Sequence, residues 1–236
     1  ASNSRQLESI VTNKIDANLV EVVVNYKLNN VGSNNKITYT INSKGVLKVK
    51  NDFVYAGKLK DAQIPRFGMN FTIPKEYSDV VWYGRGPHEN YIDRKSSAFV
   101  GLYVSSVEDL GFDYSRPQEN GYRTDVRWFK VSNKDKIGFK IKGEPLISFS
   151  AHYNTIEDFD DGLIPQEAGE KLAVRQRLVK MQRKPVDVPK RDFISLNIDL
   201  KQMGVGGDNS WGARTLPKYT INPGNYSYSF TVTPFN

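Results

Sequence analysis

The stretch NYSYSFTVTPF, Asn225–Phe235, alternates between large apolar or aromatic side chains and small polar ones. Tyr226, Tyr228, Phe230 and Val232 fall on one face of an extended chain, and serines and threonines fall between them. Successive side chains of a strand point to opposite faces of its sheet, so this period of two predicts a half-buried β-strand.

Ten further stretches share this period, are rich in β-branched and aromatic residues, and are bounded by Gly, Asn, Pro or Asp. They are NLVEVVVNYKLN (18–29), KITYTIN (36–42), VLKVKNDFVYA (46–56), FGMNFTI (67–73), DVVWYG (79–84), AFVGLYV (98–104), VRWFKV (126–131), KIGFKIKG (136–143), LISFSAHY (146–153) and DFISLNIDL (192–200). Asn133 to Asp135 predicts a hairpin turn between two of them. Eleven short strands in 236 residues predict a single all-β domain, a large antiparallel β-sandwich.

The pattern breaks between Thr155 and Arg191. TIEDFDDGL predicts a helical turn capped by the Thr155 hydroxyl. Residues 165–184 fit either a helix or a loop that contains a strand, and both interpretations stay open. The acidic run at 158–161 lacks the remainder of a calcium loop and is interpreted as a solvated turn.

Composition excludes several classes of protein. The 33 Lys and Arg residues exceed the 26 Asp and Glu residues and give a net charge of +7, but the positive charges are dispersed. The densest basic run, Val174–Arg191, is interpreted as a solvated surface and not as an RNA-binding face, so we expect no nucleic-acid partner. No apolar run approaches the roughly 20 residues that span a bilayer, so we expect no membrane partner.

The absence of cysteine excludes disulfides and thiolate metal sites and leaves localisation open between cytoplasm and periplasm. The polar start ASNSRQLES is not a signal peptide, so we expect either a soluble protein or a targeting segment upstream of it.

The glycine-rich stretch MGVGGDNSWG, Met203–Gly212, has three possible roles: a phosphate cradle, a tight turn, or a loop that presents an indole ring. A phosphate cradle opens a helix, whereas the residues after this stretch predict turns and a strand. Trp211 therefore has either a packing role or a platform role, in which its ring meets the C–H bonds of a sugar while Asp208 and Asn209 offer hydrogen bonds.

Five carboxylates beside predicted strand ends are candidates for acid–base chemistry: Glu89, Asp93, Glu119, Asp199 and Asp208. For each of them, a role as a turn cap or as the ion-pair partner of a nearby arginine is the favoured interpretation.

His88 and His152 are the two histidines. With a carboxylate they would suffice for a proton shuttle of the kind that opens an aldose ring, although a hydrogen-bonded structural histidine is favoured for both. The spacing of His, Asp and Glu does not predict a metal site.

Three ordered blocks resemble successive blocks of the C-terminal domain of family 2 β-galactosidases, also called the β-galactosidase small chain. They are PRFGMNFTIPKEYSDVVWYGRGPHENYIDR (65–94), YSRPQENGYRTDVRW (114–128) and LNIDLKQMGVGGDNSW (196–211). The similarity extends from about Val11 to Phe235. It implies a β-supersandwich like that of galactose mutarotases, with N-terminal strands lying before residue 1. The chain is then either a C-terminal fragment of a longer multidomain enzyme, which is the favoured interpretation, or a separate small subunit.

The resemblance also implies a function. The family hydrolyses terminal β-galactosides with two glutamates of a separate (β/α)₈ barrel, which also holds Mg²⁺ and Na⁺. We therefore expect no catalytic residue, metal or cofactor in this chain, and we expect as partners that barrel, a β-galactoside and an oligomeric parent. The family motif falls on residues 206–211, so the resemblance gives Trp211 the role of stacking on the aglycone, beside Asp208 and Asn209, in a loop shaped by Gly204, Gly206 and Gly207.

Two positions depart from the family motif, since His88 replaces a glutamine and Ile92 replaces a proline. The block is interpreted as a structural turn whose Glu89, Asn90, Asp93 and Arg94 tie loops together, and Glu119 and Asn120 are counted as further structural or secondary positions. Two alternatives stay open: a free-standing carbohydrate-binding module, and an aldose 1-epimerase that uses His88, His152 and a carboxylate.

Overall fold

The computed structural model describes residues 5–57, 63–159, 184–209 and 212–236. Strands dominate the described chain, and the two helices have four residues each. In chain order the elements are β1 (Arg5–Asp16), β2 (Leu19–Leu28), β3 (Ser33–Asn42), β4 (Leu47–Val54), β5 (Arg66–Pro74), β6 (Asp79–Gly86), β7 (Phe99–Ser106), α1 (Val107–Leu110), β8 (Arg123–Ser132), β9 (Gly138–His152), α2 (Ile156–Phe159), β10 (Phe193–Gln202) and β11 (Tyr226–Phe235).

The eleven strands are hydrogen-bonded into one antiparallel network in the order β1-β2-β3-β4-β11-β9-β8-β6-β7. The long strand β9 joins two layers, because its first half pairs with β11 and its second half pairs with β10. Strand β10 in turn pairs with β5. The β5–β10 pair thus branches away from the main path at β9.

The core lies between the β5–β10 pair and the sheet that contains β4 and β11. Phe67 of β5 lies 5.9 Å, between ring centroids, from Phe53 of β4, and Phe71 lies 5.9 Å from Phe230 of β11. Leu196 and Ile198 of β10 are buried in the same cluster. These contacts across the two layers confirm the predicted all-β antiparallel sandwich.

Two strand predictions needed correction. The stretches 136–143 and 146–153, predicted as separate strands, form the single strand β9. Strand β1 was not predicted, because polar residues separate its apolar side chains Leu7, Val11 and Ile15. These side chains are exposed, since β1 pairs with β2 alone. A register shift between Leu7 and Ser9 further disturbs its alternation.

The predicted turns are present. Asn133 closes the β8–β9 hairpin by accepting the Lys136 amide at 3.0 Å, while its side-chain oxygen accepts the Ile137 amide at 3.0 Å. The predicted helical turn is α2, where the Asp158 carboxylate accepts the Thr155 amide at 2.8 Å.

Residues 160–183, which carry the open choice between helix and loop and most of the basic run, lie outside the described residues. Neither described helix is long and apolar enough to cross a membrane.

Candidate functional site

The glycine-rich loop after β10 is fixed by backbone hydrogen bonds at both of its ends. Met203 donates to the Pro65 carbonyl at 2.9 Å, and Gly204 donates to the Tyr219 carbonyl at 2.8 Å. Gly207 donates to the Ala213 carbonyl at 2.8 Å and so closes the loop on itself. The chain continues after the loop into turns and β11, not into an α-helix, in agreement with the rejection of a phosphate cradle.

Three of the loop glycines are favoured by backbone conformation. Gly206, Gly207 and Gly212 have φ values of +62°, +72° and +76°, in the left-handed region that favours glycine. A Cβ atom on Gly206 would also lie 2.8 Å from the Thr215 backbone nitrogen. Gly204 is required by a close approach, because a Cβ there would lie 2.4 Å from the Asp93 carboxyl carbon.

Asp93 and Arg94 anchor this loop from a different part of the chain. The Asp93 carboxylate accepts the Val205 amide at 3.1 Å and the Gly206 amide at 2.8 Å. Arg94 donates to the Gly206 carbonyl. Hydrogen bonds to a charged group are the stronger kind, so the carboxylate fixes the direction in which the loop leaves the sandwich.

The residues to which the resemblance gives contacts with the sugar, Asp208, Asn209 and Trp211, come after Gly207 in the chain. Asp208 is exposed and lies 3.7 Å from Arg94, an exposed ion pair that contributes little to stability. The Asn209 side-chain oxygen accepts the Ala213 amide at 3.2 Å. Trp211, to which the resemblance gives the platform role, lies outside the described residues, as does Ser210.

Asn90 is the most extensively bonded member of the block that contains Asp93. Its side chain is fully buried, and its oxygen accepts the Thr124 amide at 3.0 Å and the Thr124 hydroxyl at 2.6 Å. Its amide nitrogen donates to the His88 carbonyl at 3.1 Å, and its backbone N–H donates to the Tyr122 carbonyl at 2.8 Å. Asn90 thus joins the turn that carries Asp93 to the start of β8.

Glu89 bonds the same turn to the loop before β8. Its carboxylate accepts the Tyr114 hydroxyl and, at 2.7 Å, the Gly121 amide. Partial burial and the hydrogen bond to Glu89 raise the pKa of Tyr114 to about 12. Glu89 therefore connects the turn to the loop before β8. The Tyr114 hydroxyl stays protonated at neutral pH.

The two histidines have separate surroundings. His88 is exposed, and its Nε2 atom lies 3.2 Å from the Ser97 hydroxyl. His152 Nε2 donates to the Asn120 carbonyl at 2.8 Å, and burial lowers the pKa of His152. The Asn120 side chain also holds the next loop, because its oxygen accepts the Phe112 amide at 2.9 Å. His152 is therefore a neutral imidazole that donates to a backbone carbonyl, which fits the structural role that the sequence favoured for it.

Arg66 of β5, Asp199 of β10 and Glu119 of the loop before β8 form a charged cluster that the sequence did not bring together. Arg66 pairs with Glu119, and its Nε atom lies 3.2 Å from an Asp199 carboxylate oxygen. Asp199 is fully buried, and burial raises its pKa to about 7 against the opposing effect of Arg66. Gly68 was the available signal, because glycine inside a strand marks a close approach, here of the Asp199 side chain.

The five candidate carboxylates thus have different surroundings. Glu89 and Asp93 accept amides of neighbouring loops, while Glu119, Asp199 and Asp208 lie within ion-pair distance of arginines. The arrangement resembles a rigid support for a loop more closely than a pair of carboxylates facing a substrate.

Comparison with known proteins identifies the family. The family model described as the β-galactosidase small chain matches residues 2–232. A β-galactosidase of Priestia megaterium is 35% identical over 225 residues, which is 95% of this chain and 20% of that protein. A β-galactosidase of Vibrio cholerae is 32% identical over 169 residues, or 72% of this chain and 14% of that protein.

Among solved structures, one described as a GalM/aldose epimerase homologue from C. elegans is 11% identical, with a TM-score of 0.41. The match covers 97% of this chain and 69% of that one. A similarity of this size supports no functional inference. The chain spans about a fifth of the length of the β-galactosidases that it matches. On its sequence match over almost the whole length, the chain belongs to the β-galactosidase small-chain family.

Proposed function

We propose that this chain is the C-terminal domain of a retaining β-galactosidase and that its glycine-rich loop forms part of the aglycone side of the active site. The observation that carries the proposal is the family match, joined to a loop that Asp93 and Arg94 hold from outside. A loop that a carboxylate anchors from outside loses little conformational entropy on binding, as a preformed ligand platform requires.

In this proposal the chain positions substrate and leaves bond cleavage to the barrel. Double displacement at the barrel's two carboxylates would form and then hydrolyse a galactosyl-enzyme ester. Asp208 and Asn209 would hydrogen-bond the aglycone sugar, and the Trp211 ring would stack on its C–H bonds. Mg²⁺ and Na⁺ belong to the barrel in this proposal, and oligomerisation of the parent enzyme stays a prediction.

The experiment replaces Trp211 with alanine in the full-length enzyme that contains this chain. Stacking on a remote part of the substrate contributes chiefly to aglycone binding, so we expect weaker inhibition by glucose, less transfer to sugar acceptors and a higher KM for lactose. Hydrolysis of an aryl galactoside with a good leaving group should change less.

The matched control is Trp128→Phe, because Trp128 lies within β8 beside Lys130 and Lys140 rather than in the loop. Unchanged lactose kinetics and glucose inhibition in Trp211→Ala would contradict the platform role. Equal effects of the two substitutions would show a general loss of stability instead.

A further inference from the structure

The turn between β6 and β7 carries Asp93 and Arg94, so the position of the glycine-rich loop depends on what holds this turn. Within the turn, Tyr91 and Arg94 exchange backbone hydrogen bonds at 3.2 and 2.8 Å, and Ala98 donates to the Lys95 carbonyl at 3.1 Å. These local contacts give the turn its shape. Its attachment to the sandwich involves residues at the start of β8.

Two consecutive residues of β8 hold the two sides of the turn. On its N-terminal side, the Asn90 side-chain oxygen accepts both the amide and the hydroxyl of Thr124. On its C-terminal side, the Lys95 ammonium group lies 2.9 Å from the carboxylate of Asp125. Thr124 therefore holds the segment before the loop anchors, and Asp125 holds the segment after them.

Arg85 of β6 reinforces the C-terminal attachment. Its Nε atom donates to the Asp125 carboxylate at 2.5 Å, and its Nη1 atom donates to the Lys95 and Ala98 carbonyls at 3.1 and 2.8 Å. One carboxylate thus positions two cations, and both cations belong to or bind the turn. The side chains of Arg85, Lys95 and Asp125 are only 26% to 32% exposed, so salt screens these ion pairs less than it screens pairs at an open surface.

The backbone of β8 directs the Asp125 side chain toward the turn. The register between β8 and β9 shifts between Arg123 and Val126, and Asp125 within this shift has a φ of +53°. Such irregularities re-aim a side chain, and aspartate and asparagine adopt a positive φ more readily than most residues. An uncommon backbone conformation persists where the surroundings fix it, and Arg127 donates to the Asp125 carbonyl at 2.6 Å.

We propose that Asp125 is a positioning residue for the glycine-rich loop and acts through Lys95 and Arg85. The Asp125 carboxylate fixes the C-terminal side of the turn, and the turn in its place fixes Asp93, whose carboxylate accepts two amides of the loop. The effect of Asp125 on the position of the loop is independent of the proposed function. Its effect on aglycone binding rests on that function.

The test is hydrogen exchange, in the full-length enzyme, of the segment that contains the Val205 and Gly206 amides. Asp125→Asn keeps the size of the side chain and its tolerance of a positive φ, but it removes the charge and leaves the two cations to repel each other. We expect exchange of these amides to become about fivefold faster, as the loss of two partly exposed ion pairs indicates. Exchange within β10 should stay unchanged, whereas a general loss of stability would accelerate both segments.

Asp79→Asn is the matched control, because Asp79 pairs with Lys136 at 2.7 Å at the other end of β6. Exchange of the loop in this variant should equal that of the parent enzyme. Lys95→Gln removes one ion pair from the side of the turn and leaves Arg85 paired with Asp125, so we expect exchange to become about twofold faster. The double variant should exchange no faster than Asp125→Asn alone, because both substitutions break the same contact.

Inhibition by glucose provides a second readout. We expect the inhibition constant to rise by about twofold in Asp125→Asn, while kcat for an aryl galactoside changes less. Unchanged exchange of the loop in Asp125→Asn would overturn the inference, as would an equal effect of Asp79→Asn. Faster exchange of the loop, with glucose inhibition unchanged in both Asp125→Asn and Trp211→Ala, would support the positioning role and contradict the proposed function. Should Asp125→Asn fail to fold, Lys95→Gln against Asp79→Asn decides the question.

Discussion

Asp93 and Asp199 show two different uses of the same side chain. Asp93 is partly exposed and accepts two backbone amides of the glycine-rich loop. Asp199 is fully buried, and one of its carboxylate oxygens lies 3.2 Å from Arg66 Nε. The Asp93 carboxylate bonds the backbone of a surface loop, whereas the Asp199 carboxylate pairs with an arginine inside the β5–β10 pair. The difference separates the loop anchor from the buried charge of the strand pair.

The largest expected effect is at Asn90, in the block that carries Asp93. Asn90→Ala leaves the buried Thr124 amide and hydroxyl without their acceptor, so we expect a loss of about 2–4 kcal/mol in the free energy of unfolding. Asn70→Ala on β5, where the side chain is exposed, should cost less than about 1 kcal/mol. Urea unfolding of both variants measures the difference, and similar losses would contradict the structural role assigned to the buried Asn90 side chain.

The loop glycines provide a second, smaller contrast. Alanine at either Gly206 or Gly207 meets an unfavourable positive φ, but at Gly207 the nearest atom to the new Cβ is Arg94 Nη2 at 3.7 Å. At Gly206 the Cβ meets the Thr215 backbone, so we expect Gly206→Ala to lower the free energy of loop opening by about 2 kcal/mol more than Gly207→Ala. Hydrogen exchange of the Val205 amide reports that opening. Equal protection of the Val205 amide in the two variants would contradict the predicted clash between a Cβ at position 206 and the Thr215 backbone.

The raised pKa of Asp199 predicts that the free energy of unfolding depends on pH. Its pKa of about 7 lies above that of an unfolded aspartate, so between the two values the folded chain binds the additional proton. The contribution of Asp199 to stability is therefore complete at low pH and is lost as pH rises through about 7. Asp199→Asn carries no such charge. We expect its stability relative to the parent chain to improve by about 1–2 kcal/mol between pH 5 and pH 8.

Urea unfolding of the two proteins at both pH values measures this change. A difference that is independent of pH would indicate that Arg66 outweighs burial and keeps Asp199 ionised throughout.

The sequence predicted the fold well where alternation reflects burial. Residues 192–200 and 225–235 became β10 and β11 because each has an apolar face against the core. Strand β1 has no such face, since its stability comes from backbone pairing with β2. The break between residues 143 and 146 resembled a strand boundary although the backbone stays extended through Glu144 and Pro145. An alternating sequence indicates which side chains are buried and not which backbone groups are hydrogen-bonded. This explains why β10 and β11 were predicted, β1 was missed and β9 was divided in two.

The candidate site was less predictable. The glycine pattern and the block around Asp93 marked two loops, but their contact joins residues more than 110 positions apart, a separation that no local pattern encodes. The cluster of Arg66, Glu119 and Asp199 depends in the same way on distant contacts, the pairing of β5 with β10 and the approach of the loop before β8. Among local signals, the strand glycine Gly68 pointed to it, because it leaves room for Asp199.

The most direct measurement of the central claim is the inhibition constant of glucose for the full-length enzyme that carries Asp93→Asn. If Asp93 positions the loop that meets the aglycone, loss of its charge should weaken glucose binding by about threefold, and by less than Trp211→Ala does. The free energy of unfolding, measured in parallel, should change little. A glucose constant that is unchanged in Asp93→Asn but altered in Trp211→Ala would contradict the claim that this anchor sets the position of the loop.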